Sequence, residues 1–196
     1  MNERLSRQLA FLVEVDHMKN VLRRTLLADG SRRENDAEHS WHFALMAMIL
    51  CEYADQDKVD LNRVIQMALV HDLVEVYAGD TFAYDEEGYE SKQEREELAA
   101  DRLFAILPED QESAIRTLWE EFDREETPDA QYAAAMDRMQ PFLNNYMTQG
   151  HTWKTGNVTK EKVLRRMRRV RQGAPELWPF VEFVIEDSVK KGYLKE

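Results

Sequence analysis

The chain predicts an all-α domain of about seven or eight helices, on two observations. Apolar residues recur at 3.6-residue spacing almost everywhere, and strand-type alternation is hard to find. The first helix is expected from about Arg4 to Arg24, followed by a polar connection through "ADGSRREN". Asp36 offers an N-cap for a second helix reaching Tyr53. Trp41, Phe43, Leu45, Met46, Met48, Ile49 and Leu50 leave that helix apolar on nearly every side, which marks it as the central element that others surround. A third helix opens behind Asp60 and extends to about Tyr77. The stretch "AGDTFAYDEEGYE" after it has the Gly and acidic composition of a loop, a candidate lid or wall of an active site. Ser91 and Glu94 form an S-x-x-E capping box for a fourth helix, which Pro108 ends ahead of a fifth carrying Ile115, Leu118, Trp119 and Phe122. Thr127 as N-cap with Pro128 at the first helical position starts a helix through about Met147, with a kink expected at Pro141. Two more helices fit 159–171 and 175–191. No internal repeat, low-complexity segment or linker divides residues 1–196, which are read as one domain.

The 196 residues are 43% hydrophobic and 33% charged with seven Gly and five Pro, a globular composition outside the range of disordered or fibrous chains. The N-terminus carries charge from its third residue and has no apolar run long enough for a signal or membrane segment, so no membrane association is expected. Cys51, the one cysteine, has no partner within the chain. In "ALMAMILC" it reads as a buried inert thiol, and a cytoplasmic location follows as the expectation. A net charge of −12 argues against a general nucleic-acid binder, because phosphate backbones select a basic footprint. The exception is local. "KEKVLRRMRRVR", from Lys160 to Arg171, carries a net of +6, leaving −18 on the rest of the chain. Such a run is a solvated helix face, a dimer edge answering that acidity, or a contact for an anionic partner.

One stripe is chemically unusual. Val64, Met67, Ala68, His71 and Glu75 share a face of the third helix by i, i+3, i+4, i+7 spacing, with Ile65, Leu69, Asp72 and Val76 beside it. The apolar face therefore runs into imidazole and carboxylates, and buried charges must pair, hydrogen-bond or coordinate a metal. On the second helix His39 lies along one side with Phe43, Met46 and Leu50. Two readings stand: hydrogen-bonded core histidines, or ligands of a divalent cation such as Mn²⁺, Fe²⁺, Co²⁺, Zn²⁺ or Mg²⁺, which imidazole and carboxylate suit together. His39 and His42 are not an H-E-x-x-H zinc-protease pair, because they stand three apart and no Glu follows the first.

The order His39, His71-Asp72 and a distant Asp resembles that of the HD-domain metal-dependent phosphohydrolases. The pieces "RRENDAEHSWH", "HDLVEVYAGD" and "LPEDQESAIRTLWEEF" look most like the small HD-domain 5′-deoxynucleotidases. An "HD" dipeptide alone is weak. An inward "EHS" helix, "HDxxE" followed by "GD", and a later helical Asp in the right order are specific together, and the resemblance extends over most of the chain. It implies an HD core over about 20–150 with C-terminal helices over about 158–192. It implies His39, His71, Asp72 and Asp137 as ligands of one divalent cation, although Asp137 sits at the margin of the stripe Met136, Met139, Leu143 and Tyr146 and by periodicity alone reads as solvated. Asp72 and Glu75 would be the catalytic carboxylates, with Glu75 positioning or deprotonating the attacking water.

The substrate residues implied are Arg24, Asp80, Thr25 and His39. Arg24 would clamp the phosphate with its two-pronged fork, though Arg23, Arg32 and Arg33 lie close in sequence, and Asp80 would contact the deoxyribose 3′-hydroxyl. Thr25 stands where the family's bacterial members carry Trp. Glu38 and His42 have no evident role, and His17 and His151 read as surface residues. The implied function is hydrolysis of deoxyribonucleoside 5′-monophosphates by a homodimer. The alternatives are another nucleotide as substrate, or a metal- or nucleotide-binding module without turnover.

Overall fold

Apolar periodicity becomes helix along most of the chain. The computed structural model describes residues 2–55 and 57–196. In order, the elements are α1 (Glu3–Val15), β1 (Leu22–Leu26), β2 (Arg33–Asn35), α2 (Asp36–Ile49), α3 (Leu61–Val70), α4 (Glu75–Ala78), α5 (Glu86–Glu90), α6 (Lys92–Phe104), α7 (Glu109–Arg124), α8 (Pro128–Met147), α9 (His151–Thr155), α10 (Lys160–Gly173) and α11 (Trp178–Lys190). Leaving aside the three pieces α4, α5 and α9, of four or five residues, eight helices remain among the described residues, as the periodicity predicts. None is long and apolar enough to cross a membrane.

The N-terminal third departs from expectation. α1 stops at Val15 and a 3₁₀ turn follows, so the first helix does not reach Arg24. Residues 22–26 instead pair antiparallel with β2, Leu22 opposite Asn35 and Leu26 opposite Arg33, with an irregularity between. The turn signal is Asp29-Gly30. Gly30 adopts φ +73°, and the Asp29 carboxylate accepts from the Ser31 amide at 2.9 Å, the local bonding that Asp and Gly supply to turns. Strand alternation then separates two consecutive arginines, Arg23 partly buried and Arg24 exposed.

The N-cap of α2 is Asn35, one residue before the expected Asp36. The Asn35 side chain accepts from the Glu38 amide at 2.9 Å and the Glu38 carboxylate accepts from the Asn35 amide at 3.1 Å, which gives Glu38 its role. Asp36 is thereby freed to turn inward, where it is fully buried. α2 ends at Ile49, with a 3₁₀ turn carrying the chain to Tyr53. Nor is α2 the central element: Trp41, Leu45, Met48 and Ile49 are exposed, and Cys51 is only half-buried. The centre is α8, which packs against α2, α3, α7 and α10. Ala130, Ala133, Ala134 and Ala135 are fully buried there, and short side chains let neighbouring helices approach closely. A Cβ on Gly173 of α10 would meet the Gln131 carbonyl oxygen of α8 at 2.2 Å. α8 runs on through Pro141.

The expected capping box at Ser91 is absent. Its side chain caps nothing and its hydroxyl instead accepts from Arg95. Thr127 does cap α8, accepting from the Ala130 amide at 3.1 Å, with Pro128 at the first helical position. The third helix does not run unbroken to Tyr77 either. After α3 the chain takes tighter turns through 71–74, with the Leu73 amide bonded to the Val70 carbonyl and the Glu75 amide to that of Asp72, before α4 resumes. Two hydrophobic clusters meet at this break. Met67 and Ala68 belong to one with α2, α8, α10 and α11, while Val70, Leu73 and Val74 belong to the other with α1, α6 and α7. His71 lies at the seam.

Candidate metal centre and active site

At that seam four of the expected side chains converge. His39 Nε2 lies 3.0 Å from Asp137 Oδ1 and 3.9 Å from Asp72 Oδ2; His71 Nε2 lies 3.0 Å from Asp72 Oδ2 and 3.7 Å from Asp137 Oδ1. Both histidines are buried, and His71 is boxed by the rings of Phe43 and Phe122 at 5.2 and 4.9 Å.

The protons can be followed from outside inward. Gln140, fully buried one turn after Asp137, donates from Nε2 to Glu34 Oε1 at 2.6 Å and to His42 Nδ1 at 3.1 Å. An ionised carboxylate only accepts, so the amide nitrogen must face Glu34 and the amide oxygen must face His39. That oxygen, 2.8 Å from His39 Nδ1, accepts its proton. His71 Nδ1 likewise donates to the Ala68 carbonyl at 3.0 Å. In a neutral imidazole the second nitrogen is then bare, so both Nε2 lone pairs point at carboxylates, and His71 Nε2 is buried without a hydrogen-bond partner among the described residues. Two lone pairs and two carboxylates sharing one buried point repel one another unless a cation lies between them. The donor set therefore fits a divalent metal held by two imidazoles and two carboxylates, with Gln140 and the Ala68 carbonyl fixing the tautomers.

Without a cation the same opposition is relieved by a proton, and the shifts take that direction. Burial works against the charged form of Asp72, but His71, by charge and hydrogen bond, and then Arg23 outweigh it and hold Asp72 below the usual carboxylate range. Asp137 is held low despite burial, chiefly by His39 and then His71. For His71 burial opposes protonation and the Asp72 charge overcomes it, raising its pKa.

Beside this group lies a second. Asp36, Glu75 and Asp80 each offer an oxygen within 4.8 Å of the others and could hold a further cation. Burial and then the Asp72 charge push Asp36 up to about 6. Burial, Asp72 and Asp36 push Glu75 well up, and its Oε2 has no partner among the described residues. Arg23 Nη1 reaches into the same cluster, 2.8 Å from Asp72 Oδ2, 3.2 Å from Asp36 Oδ1 and 3.9 Å from Asp80 Oδ1. Gly79, at φ +75°, turns the chain after α4 and Asp80 follows it.

A cavity of about 250 Å³ opens over Asp72, Glu75, Asp80 and Asp137. Arg23, Arg24, Thr25, Lys92, Arg138 and Arg166 line it, together with Phe82, Tyr84, Phe122 and Trp153. The stretch 80–84 supplies one wall, and Arg95 braces it through the Ala78 carbonyl at 2.6 Å and the Thr81 hydroxyl at 2.9 Å. Arg24 stacks 4.6 Å over Phe82 and makes no ion pair among the described residues. Arg32 pairs with Glu38, and Arg33 bonds the carbonyls of Leu22 and Arg23; neither lines the cavity.

A family model for the HD domain matches residues 15–178. The chain belongs to the HD-domain family. A relative named 5′-deoxynucleotidase HDDC2 from Homo sapiens is 31% identical over 136 residues, 69% of this chain and 65% of its own length, so the match spans just under two thirds of that relative. One of the same name from Dictyostelium discoideum is 29% identical over 117 residues, 58% of this chain and 62% of its own. A crystal structure described as a predicted metal-dependent phosphohydrolase from Magnetospirillum magnetotacticum superposes with a TM-score of 0.94 at 48% identity, covering 99% of this chain and 97% of that one. An HD-domain phosphohydrolase from Listeria innocua shares the fold, with a TM-score of 0.65 at 18% identity over 94% of each chain.

Within this HD domain the expected residues His39, His71, Asp72, Asp137, Glu75, Asp80, Arg24 and Thr25 all lie at the cluster or on the cavity. His17 and His151 are exposed, as expected, while His42 accepts from Gln140. Sequence reasoning missed Arg23 as the cation among the carboxylates, Asp36, Lys92 and the pair Gln140 and Glu34. The signal for Gln140 was its place three residues after Asp137, on the same face of α8.

Removing one carboxylate tests the centre. Asp72→Ala should weaken binding of a divalent cation by more than the 10- to 100-fold typical of losing an outer partner. Elemental analysis of the purified variant should find it nearly metal-free, and full occupancy would refute the assignment.

Proposed function

We propose that this chain is a metal-dependent phosphomonoesterase acting on deoxyribonucleoside 5′-monophosphates. The observation that carries the reading is the pair of bare, buried imidazole nitrogens facing Asp72 and Asp137, at the floor of a cavity that also presents Glu75 and Arg24, which has no ion pair among the described residues. A divalent cation held by His39, His71, Asp72 and Asp137 supplies Lewis acidity at the phosphoryl group and lowers the pKa of water.

The remaining steps belong to the chain's own side chains. Glu75, with a raised pKa and an unpartnered oxygen, takes the proton of the attacking water. Arg24 grips the phosphate with its fork, and Lys92, paired with Glu96 at 3.2 Å, adds a second cation on the same cavity. Arg23 offsets the mutual repulsion of Asp36, Asp72 and Asp80. Asp80 accepts from the sugar 3′-hydroxyl. Thr25 leaves space where the resembled bacterial enzymes carry Trp, and Phe82, half-buried on the same cavity, offers aromatic surface for the base. The name of the human relative supports the deoxynucleotide assignment. The exposed face of Trp41, Leu45, Met48 and Ile49 supplies an apolar surface for a homodimer, and a cytoplasmic setting belongs to the same reading.

Glu75→Ala should keep its cation and bind nucleotide while turnover falls by roughly 10²-fold or more; near-normal turnover would make Glu75 structural. Phosphate release from dAMP, AMP and 3′-dAMP tests selectivity. The deoxynucleoside 5′-monophosphate should be the fastest and the 3′-monophosphate inert. Asp80→Ala should lower kcat/KM for dAMP by roughly 10- to 100-fold, the worth of one charged hydrogen bond. Equal rates on dAMP and AMP would remove the deoxynucleotide assignment and leave the phosphomonoesterase standing.

A further inference from the structure

Of the basic run of α10, Arg166 lines the catalytic cavity, while Lys162, Arg165, Arg168 and Arg169 do not. A second, wider basin of about 590 Å³ shares Ala83, Tyr84, Tyr89, Arg138 and Arg166 with that cavity, then continues along Lys162, Arg165, Arg168 and Arg169. Its volume falls within the roughly 300–1,000 Å³ of small-molecule sites. Six cations face two carboxylates there, Asp85 and Glu86, in a chain whose net charge is −12.

A solvated helix face answering that acidity would have its charges matched. Here they are not. Lys162 pairs with Glu86 at 2.9 Å and Arg169 with Glu125 at 2.5 Å, but Arg165 and Arg168 make no ion pair among the described residues. The Asp85 side chain is occupied by the Gly88 amide. On α10, Lys162 meets Arg165 and Arg166 at i+3 and i+4, and Arg165 meets Arg168 and Arg169 the same way, spacings at which like charges destabilise a helix. From the side of the catalytic cavity, Glu125 reaches both Arg169 and Arg138 at 2.5 Å from the left-handed turn that ends α7, so these arginines already hold one carboxylate. Tyr89, an exposed aromatic side chain, stands on the wall beside the arginines.

We propose that this basin binds a nucleoside polyphosphate, its phosphate chain on Lys162, Arg165, Arg168 and Arg169 and its base against Tyr89. A single phosphate, with at most about two charges, leaves much of the excess unmatched, whereas a di- or triphosphate answers it. Arginine forks suit such oxygens, and aromatic faces suit any base. The site stands whichever substrate the catalytic cavity takes.

Isothermal titration of the metal-free full chain with ATP and with inorganic triphosphate tests this, since removing metal prevents the probes from reporting on a bound cation. ATP should bind one-to-one, at least about tenfold more weakly to the Arg165→Glu, Arg168→Glu double variant, and with unchanged affinity to Arg24→Ala. A charge-neutral Arg165→Gln, Arg168→Gln variant should fall between. Tyr89→Ala should weaken ATP and leave inorganic triphosphate unaffected. Equal affinity for the double variants, no heat at millimolar ATP, or loss of binding in Arg24→Ala would overturn the site. Inorganic triphosphate binding as tightly as ATP, with Tyr89→Ala indifferent, would overturn the nucleoside assignment.

Discussion

Two imidazoles whose outer nitrogens are already committed as donors cannot also donate inward while neutral. That constraint organises the centre of this molecule. His39 gives its Nδ1 proton to Gln140 and His71 gives its own to the Ala68 carbonyl, so both inner nitrogens present lone pairs to Asp72 and Asp137 in a buried space. Burial makes such opposition expensive, and a cation is the natural counterpart. The fold supplies the rigidity: His39 stands on α2, Asp137 on α8, and His71 and Asp72 on the tight turns that interrupt α3, so three separately packed elements meet at one point.

The same constraint explains the polar network behind the centre. Gln140 works only because Glu34 fixes which end of its amide faces inward, and Glu34 is reached only because β2 brings the chain back beside α2. The hairpin also places Arg23 among three carboxylates while Arg24 meets the cavity beside Phe82. Alternation on a strand sends neighbours to different surroundings; a helix extended through Arg24 would have set the two arginines about 100° apart on a rod, with no β2 behind them.

How much was legible follows from these particulars. The inward stripe of His71 and Glu75 was plain, because imidazole and carboxylate broke an apolar period where a core should continue. Asp137 was not, since a carboxylate at the edge of a stripe looks solvated until other helices cover it; the family resemblance supplied it. Gln140 escaped because an amide carries no charge to draw notice, though its spacing from Asp137 was readable. The hairpin escaped because its strands are five and three residues long and rich in arginine, too short for alternation to declare itself. Asp36 was assigned to the cap by its residue type, but Asn35, one residue earlier, is equally able to cap, and Glu38 completing the box decides for it. The apolar circumference of α2 said nothing about which side is covered, and the small residues of α8, which decide the packing, carry little hydrophobic signal.

The central claim is that the imidazole–carboxylate cluster is built around a cation, and thermal unfolding of the chelator-stripped chain before and after addition of Mn²⁺ tests it most directly. At a free concentration about 100 times Kd, binding to the folded state alone contributes about 2.7 kcal/mol. At about 2–4 °C per kcal/mol for a chain of this size, that raises Tm by roughly 5–10 °C. A Tm that stays unchanged on adding Mn²⁺, Co²⁺, Zn²⁺ or Mg²⁺ in turn would contradict the account.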